Sequence, residues 1–284
     1  VKVKKLFYSF FMSCLVLSLM ACGTTSPTKN DATNEDTSKN EDTSKEEKKS
    51  NEAHTAHWSY EGETGPEHWG DLSPDYAACA TGKEQSPINI ETAQVIEDKK
   101  IANLDIKYKP TEFSLSNNGH TIQANPTTLD NTFVVDNKEY KLAQLHFHTP
   151  SEHQVNGKNF DMEIHFVHKD ENDQLAVLGL MVKEGAANPY LEKTWNVIPT
   201  EVTTEDVKLT EPIDLMSLLP KDKDSFHYNG SLTTPPCSEV VKWVLLENPM
   251  EMSKEQIDKF QEIFPDDHRP PQPLNEREVK KKTE

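Results

Sequence analysis

The chain has 284 residues, 34% apolar and 27% charged, with a formal charge of −18. That acidity excludes nucleic acid as a partner, because phosphate binding needs clustered Lys and Arg, and the basic runs sit at the two ends, Lys2 to Lys5 and Lys280 to Lys282. It suits an exported protein that must stay soluble, but it identifies no substrate, and with 18 Pro against 10 Gly nothing points to collagen or a coiled coil.

At the N-terminus, Lys2, Lys4 and Lys5 precede an apolar run from Leu6 to Met20 that ends in Leu19-Met20-Ala21-Cys22. A charged start, a short apolar stretch and a small residue at the cut describe an export signal over 1–21 rather than a spanning helix. The Leu-x-Ala-Cys ending resembles the lipobox of bacterial lipoproteins. That resemblance implies a lipid on Cys22 and an extracytoplasmic protein anchored to the cell membrane. Acyl chains contribute about 0.8 kcal/mol per buried CH₂, so two or more hold firmly. A soluble secreted protein in which Cys22 is incidental is the alternative.

From 22 to 57 the chain is polar, with a near-repeat at Asn34 to Lys39 and Asn40 to Lys45. It lacks the large apolar residues needed to offset ordering entropy, so a disordered spacer is expected. A single globular domain over 58–278 follows, then a charged tail over 279–284.

Within the domain, period-two segments predict strands at Leu104 to Tyr108, Glu112 to Asn117, Thr121 to Ala124, Thr132 to Val135, Lys141 to His148, Phe160 to His168, Leu175 to Val182 and Val240 to Leu246. Turn residues such as Asn117-Asn118-Gly119 and Asn156-Gly157 separate many of them. One helix is expected at Lys254 to Phe264, where Ser253 and Gln256 form a capping box. The expected fold is α+β and sheet-dominated: a large central, mostly antiparallel, twisted sheet with a few short peripheral helices. Helices are too few for parallel crossovers throughout.

Of the four cysteines, Cys14 would leave with the signal and Cys22 would take the lipid. Cys79 and Cys237 remain, and in an oxidising compartment they suggest one disulfide, with two free buried thiols as the alternative. Such a bridge would close a loop of roughly 160 residues, worth at most about 4–5 kcal/mol in the chain-entropy picture.

The chemistry gathers on two predicted strands. On Gln144-Leu145-His146-Phe147-His148, alternate residues share a face, so Gln144, His146 and His148 point away from Leu145 and Phe147. On Glu163-Ile164-His165-Phe166-Val167-His168, Glu163 and His165 share a face opposite Ile164 and Phe166. With the strands side by side, three imidazoles can converge, and three neutral imidazoles with an open fourth position suit a catalytic Zn²⁺. Gln144 and Glu163, each two residues before a ligand, can orient its other ring nitrogen. His-x-His alone also suits a half-buried strand bonded to backbone. His146-x-His148-x-x-x-Glu152 further matches the metal triplet of cupins, although Tyr140 stands where their first Gly would be and no second Pro-x-Gly…His motif follows.

Longer motifs favour one family. Gln85-Ser86-Pro87-Ile88-Asn89-Ile90, Asn117-Asn118-Gly119-His120, Gln144 to His148, Ser151-Glu152-His153, Glu163 to His168 and Ser231-Leu232-Thr233-Thr234-Pro235-Pro236-Cys237 resemble α-carbonic anhydrase motifs, in order. So do His68-Trp69-Gly70, Val241-Lys242-Trp243 and Arg269 to Asn275. The resemblance spans His68 to Arg277. It implies reversible hydration of carbon dioxide to bicarbonate and a proton by zinc-bound hydroxide, outside the cytoplasm, with His146, His148 and His165 on the metal. It implies Gln144 and Glu163 as their outer partners, Thr233 as a gatekeeper oriented by Glu152, and His120 as proton shuttle. Val167, Val177, Leu232, Val241 and Trp243 would form the wall where carbon dioxide rests, with Thr233 and Thr234 beside it. Cys79 and Cys237 match the disulfide of secreted members.

Two positions depart from the family pattern. Asp71 follows Trp69-Gly70 where a Tyr is frequent, and Gln123 replaces a frequent Asn; both would touch the water network of proton transfer. A catalytically silent relative usually lacks a zinc histidine, and all three are present here. A zinc-carrying lipoprotein would need an exposed site, for which His54, His57 and His68 are too dispersed. The expected partners are carbon dioxide, bicarbonate and, through Cys22, the membrane.

Overall fold

The computed structural model describes residues 56–284. The expected export signal, Cys22 and nearly all of the 22–57 spacer lie outside the described residues. Among those residues, no helix is long and apolar enough to cross a membrane.

Among the described residues fourteen strands form, the longer ones where apolar residues alternate. They are β1 (Asn89–Ile90), β2 (Ile96–Glu97), β3 (Asp105–Lys107), β4 (Phe113–Asn117), β5 (Ile122–Pro126), β6 (Thr132–Val135) and β7 (Lys138–His148). After them come β8 (Gln154–Val155), β9 (Met162–Lys169), β10 (Leu175–Glu184), β11 (Val207–Lys208), β12 (Ser225–Gly230), β13 (Val241–Met252) and β14 (Lys280–Lys282). The helices are α1 (Trp69–Leu72), α2 (Ala78–Thr81), α3 (Glu192–Asn196) and α4 (Lys254–Gln261), all short and peripheral to one large, twisted, mixed sheet. Its order is β11-β4-β5-β7-β9-β10-β13-β12-β14-β2, with a β3–β6 ribbon added to β7. Most pairs are antiparallel, but β10 and β13 run parallel in the middle.

The sheet separates two apolar layers. Leu145, Phe147, Ile164, Phe166, Leu178 and Leu180 face one core, which Trp195, Ile257 and Phe260 close from the helices. On the other face, Val167, Val177, Val241 and Trp243 pack with Ile88, Ile90 and Tyr228. In strand register, Val167 stands opposite Val177, which stands opposite Trp243, so three members of the expected wall form one row across β9, β10 and β13, with Val241 two residues along β13.

A bulge in β7 decides which face the histidines take. Pairing with β9 shifts register between Leu142 and Gln144. Tyr140 and Leu142 face the first core before the bulge, while Leu145 and Phe147 face it afterwards. The extra residue reverses the phase of a strict alternation, leaving Gln144, His146 and His148 on the opposite face.

Helix α4 starts as expected: Ser253 Oγ accepts from Gln256 N–H (3.3 Å) and Gln256 Oε1 accepts from Ser253 N–H (3.1 Å). It ends at Gln261 rather than Phe264, ahead of Pro265, which cannot continue a helix. The C-terminal boundary differs more. Val279 is buried, and Lys280–Lys282, expected as part of a charged tail, pair with β12 and β2 as a strand of the sheet. The backbone supplies that pairing, and the charges are met at the rim, Lys281 by Glu247 at 2.7 Å and Lys280 by Asp98 at 3.2 Å.

Candidate active site

Antiparallel pairing of β7 with β9 places His146 directly opposite His165, and His148 opposite Glu163. The three imidazoles then offer nitrogens that all lie within 4.8 Å of one another, with His165 Nδ1 and His146 Nε2 3.3 Å apart. His148 and His165 are fully buried and His146 is half-buried, so the cluster opens on one side.

Each outer ring nitrogen has an oxygen partner. His146 Nδ1 donates to Gln144 Oε1 (2.8 Å), His148 Nδ1 to the Asp267 carbonyl (2.7 Å), and His165 Nε2 to Glu163 Oε1 (2.8 Å). These oxygens only accept, so the outer nitrogens carry the protons and the inner ones present bare lone pairs. Burial holds all three imidazoles below the usual histidine range, His146 well below and His148 at about 4; around His146 the other two rings add to the effect. Neutral rings with lone pairs converging are the state a metal ligand needs. His148 Nε2 is buried with no hydrogen-bond partner, a costly arrangement that a fourth body between the rings would relieve. A three-imidazole donor set with an open side fits Zn²⁺.

The carboxylates differ in their surroundings. Burial alone would raise Glu163, but His153 and His165 outweigh it and hold it well below the usual range. Glu163 accepts from His153 at both oxygens, from Nδ1 (2.7 Å) and from the backbone N–H (2.8 Å). His153 Nε2 in turn meets the Tyr228 hydroxyl at 2.6 Å. Glu152 is pushed up by burial, opposed by His165 and by the neighbouring Thr233 hydroxyl. Its Oε1 accepts from Arg269 N–H (2.9 Å), and its Oε2 lies 3.5 Å from His148 Nε2 and 3.8 Å from His165 Nδ1.

Thr233 is buried beside this carboxylate, with Leu232 and Thr234 half-buried next to it. The Trp243 ring lies 4.9 Å from that of His165, and its Nε1 donates to the Ser231 carbonyl (3.0 Å). Cys79 and Cys237 form a disulfide, so the two are not free thiols. The bridge packs with Trp69 and Tyr76.

His120 follows the Asn117 to Gly119 turn and is half-buried. Asn118 Oδ1 accepts from its backbone N–H (2.9 Å), and its ring stacks on Trp58, centroids 3.7 Å apart and planes 8° from parallel. Partial burial, with His57 nearby, lowers its pKa. Gln123 pairs opposite His146 on β5, its side chain bonded to Asn125 (2.6 Å). Asp71 is exposed on α1. Trp69 is buried under the Arg269 guanidinium, so the tryptophan that meets His120 is Trp58. The tyrosine two residues on, Tyr60, lies in the fields of Glu152 and Asp267, which with burial hold its hydroxyl well above the usual range. Asp71 is not a member of the stack on His120.

Sequence reading gave no role to Asp267, Arg269, His153, Tyr228, Trp58 or Tyr60, although His153 and Arg269 lie within the motifs quoted for the family. Asp267 meets His148, and Arg269 meets Glu152, through backbone atoms, which leave no trace in residue type. A Trp-x-Tyr pair at the very start of the domain was the one available signal for the last two.

A family profile described as eukaryotic-type carbonic anhydrase matches residues 64–283. A carbonic anhydrase of Pectobacterium atrosepticum is 44% identical over 225 residues, covering 78% of this chain and 90% of that protein. One from Neisseria gonorrhoeae is 45% identical over 225 residues, covering 78% and 87%. Among solved structures, the α-carbonic anhydrase of Thermovibrio ammonificans in complex with the inhibitor sulfanilamide superimposes with a TM-score of 0.76 at 48% identity, covering 79% of this chain and 99% of that one.

Proposed function

The chain belongs to the eukaryotic-type (alpha) carbonic anhydrase family and is a carbonic anhydrase, and on that premise we propose that it hydrates carbon dioxide on one zinc ion held by His146, His148 and His165, outside the cytoplasm. The observation that carries the metal is the convergence of three bare ring nitrogens, each imidazole locked from behind by an oxygen acceptor. Bound zinc supplies Lewis acidity that makes hydroxide available near neutral pH, bringing water to a pKa of about 7, a magnitude known from carbonic anhydrase itself.

The chain's own residues do the rest. Val167, Val177, Leu232, Val241 and Trp243 exclude water from the place where carbon dioxide lies. Glu152 takes the Thr233 hydroxyl hydrogen, so Thr233 presents a lone pair toward the nucleophilic oxygen and aims it. The Thr233 backbone N–H, with Thr234 beside it, meets the oxyanion of bicarbonate. Gln144 and Glu163 keep the rings of His146 and His165 in one tautomer and one orientation. His120, half-exposed on its turn, passes the proton to solvent.

Zinc-to-protein stoichiometry of one, with hydration lost on chelation and restored by Zn²⁺, is expected; full activity in metal-free protein would refute the reading. Sulfanilamide, bound by the Thermovibrio relative, should inhibit the zinc-loaded enzyme.

For location, the lipobox-like Leu19 to Cys22 supports a lipid anchor on Cys22, and the Cys79–Cys237 disulfide supports an oxidising compartment. A labelled lipid precursor should mark the protein, and Cys22→Ser should release it or stall its processing. Wild-type protein found quantitatively in the medium without lipid rules the anchor out.

A further inference from the structure

Glu152 and Thr233 must meet at a fixed distance, yet neither stands on a strand. Glu152 follows β7, and Thr233 lies in the loop 231–237 between β12 and β13. One side chain connects the two. Arg269 gives its backbone N–H to Glu152 Oε1 (2.9 Å). Its guanidinium, in a residue only 1% exposed, donates Nη1–H to Gln85 Oε1 (2.9 Å) and to the Ser86 carbonyl (2.8 Å), and Nη2–H to the Cys79 carbonyl (2.9 Å).

All three acceptors lead to the ends of the Thr233 loop. Ser86 and Ser231 bond reciprocally, each backbone N–H to the other's Oγ, at 2.9 and 3.1 Å. Gln85 Nε2 donates to the Cys237 carbonyl (3.0 Å), and Cys79 is bridged covalently to Cys237. Ser231 opens the loop, Cys237 closes it with its N–H on the Thr234 carbonyl (2.9 Å), and Thr233 lies between. Among the described residues no carboxylate takes the guanidinium's hydrogen bonds, and only the nearby charge of Glu152 offsets the cost of burying the cation. A residue needed only to fill space would not carry that charge.

We propose that Arg269 is a positioning residue that sets the Thr233 hydroxyl against Glu152, its backbone fixing the acceptor and its side chain fixing the loop that bears the donor. A planar guanidinium can reach in both directions at once, whereas the single ammonium of Lys cannot. The inference rests on the roles proposed above for Thr233 and Glu152, and the test separates the two.

The test is a double-mutant cycle on the full disulfide-bonded, zinc-loaded enzyme: Arg269→Lys, Thr233→Ala and both together. Steady-state kcat/KM for carbon dioxide is measured alongside zinc content and the thermal midpoint. Arg269→Lys should lower kcat/KM on the order of 10- to 100-fold, the scale of a small misplacement of a reacting group, with zinc still bound. In the Thr233→Ala background the same change should cost less than about threefold, because the hydroxyl it aligns is gone. Equal losses in both backgrounds, or a lowered thermal midpoint with unchanged kcat/KM, would overturn the proposal while leaving Thr233 in place. Wild-type activity in Thr233→Ala alone would remove the Thr233 role and this inference with it. Should Arg269→Lys fail to fold, Gln85→Ala removes one arm of the clamp, and additivity with Thr233→Ala in that cycle overturns the proposal equally.

Discussion

The imidazole triad and the proposed proton exit are both histidine sites, but they are built in opposite ways. His146, His148 and His165 project from the centre of the sheet, where strand register sets their spacing and each outer nitrogen is held by an acceptor. His120 stands beyond a turn, half-exposed, with its ring held by a stack on Trp58 from the segment before the domain's first helix. A site on strands leaves its side chains little freedom, which suits a metal that demands one geometry. A site on a turn can face both cavity and water, which suits a group that must take up and release a proton.

Mutations on the two sides should therefore fail differently. The largest effect is expected at the triad. His165→Ala should remove most bound zinc and lower hydration by more than about 100-fold, since even an outer partner of a metal ligand is worth 10–100-fold. Metal analysis together with hydration assays checks this, and retained metal with retained activity would break the comparison at its firm end.

His120→Ala should lower kcat in weak buffer, by up to about 100-fold, the low end of what a positioned acid–base group contributes. It should leave kcat/KM for carbon dioxide nearly unchanged, because attack precedes the proton's departure. Added imidazole should restore much of the rate. If the variant keeps wild-type kcat at low buffer, the proton leaves by another route.

The smallest effect sharpens the exit. Burial depresses the His120 pKa, so Trp58→Ala, which uncovers the ring, should raise it toward its ordinary value near 6.5. The neutral ring is the form that accepts a proton, so the acid limb of kcat in weak buffer should move to higher pH in the same direction. Titration of the His120 ring signals by NMR reads the shift directly, and an unchanged pKa would show that the stack contributes nothing to it.

Much of this was legible in residue order. Alternation on Gln144 to His148 and Glu163 to Phe166 separates polar from apolar faces without reference to any other part of the chain, because a strand's period is two wherever it lies. The capping box at Ser253 and Gln256 marked the start of α4 by local chemistry. Two cysteines left over by the expected signal and lipid site suggested a pairing of Cys79 with Cys237, with free thiols as the alternative, and the structure holds the disulfide.

Other features depended on the partner rather than on the residue. Nothing in Lys280-Lys281-Lys282 reads as a strand, since its place in the sheet comes from backbone pairing with β12 and β2. The Asp267 carbonyl that holds His148 comes from 119 residues away, and any residue could supply that oxygen. The phase of β7 was ambiguous in the same way: Leu142 and Leu145 both sit in the core three residues apart, which strict alternation forbids. Only pairing against β9 showed the bulge that reconciles them. By itself, then, residue order determined which side chains could share a face and which chemistry they could carry, because those depend on short-range periodicity and side-chain type. Tertiary structure alone decided which side of the sheet the histidines took, which carbonyl locked His148 and what holds the Thr233 loop, because those contacts join segments far apart in the chain, many of them through backbone atoms that every residue shares.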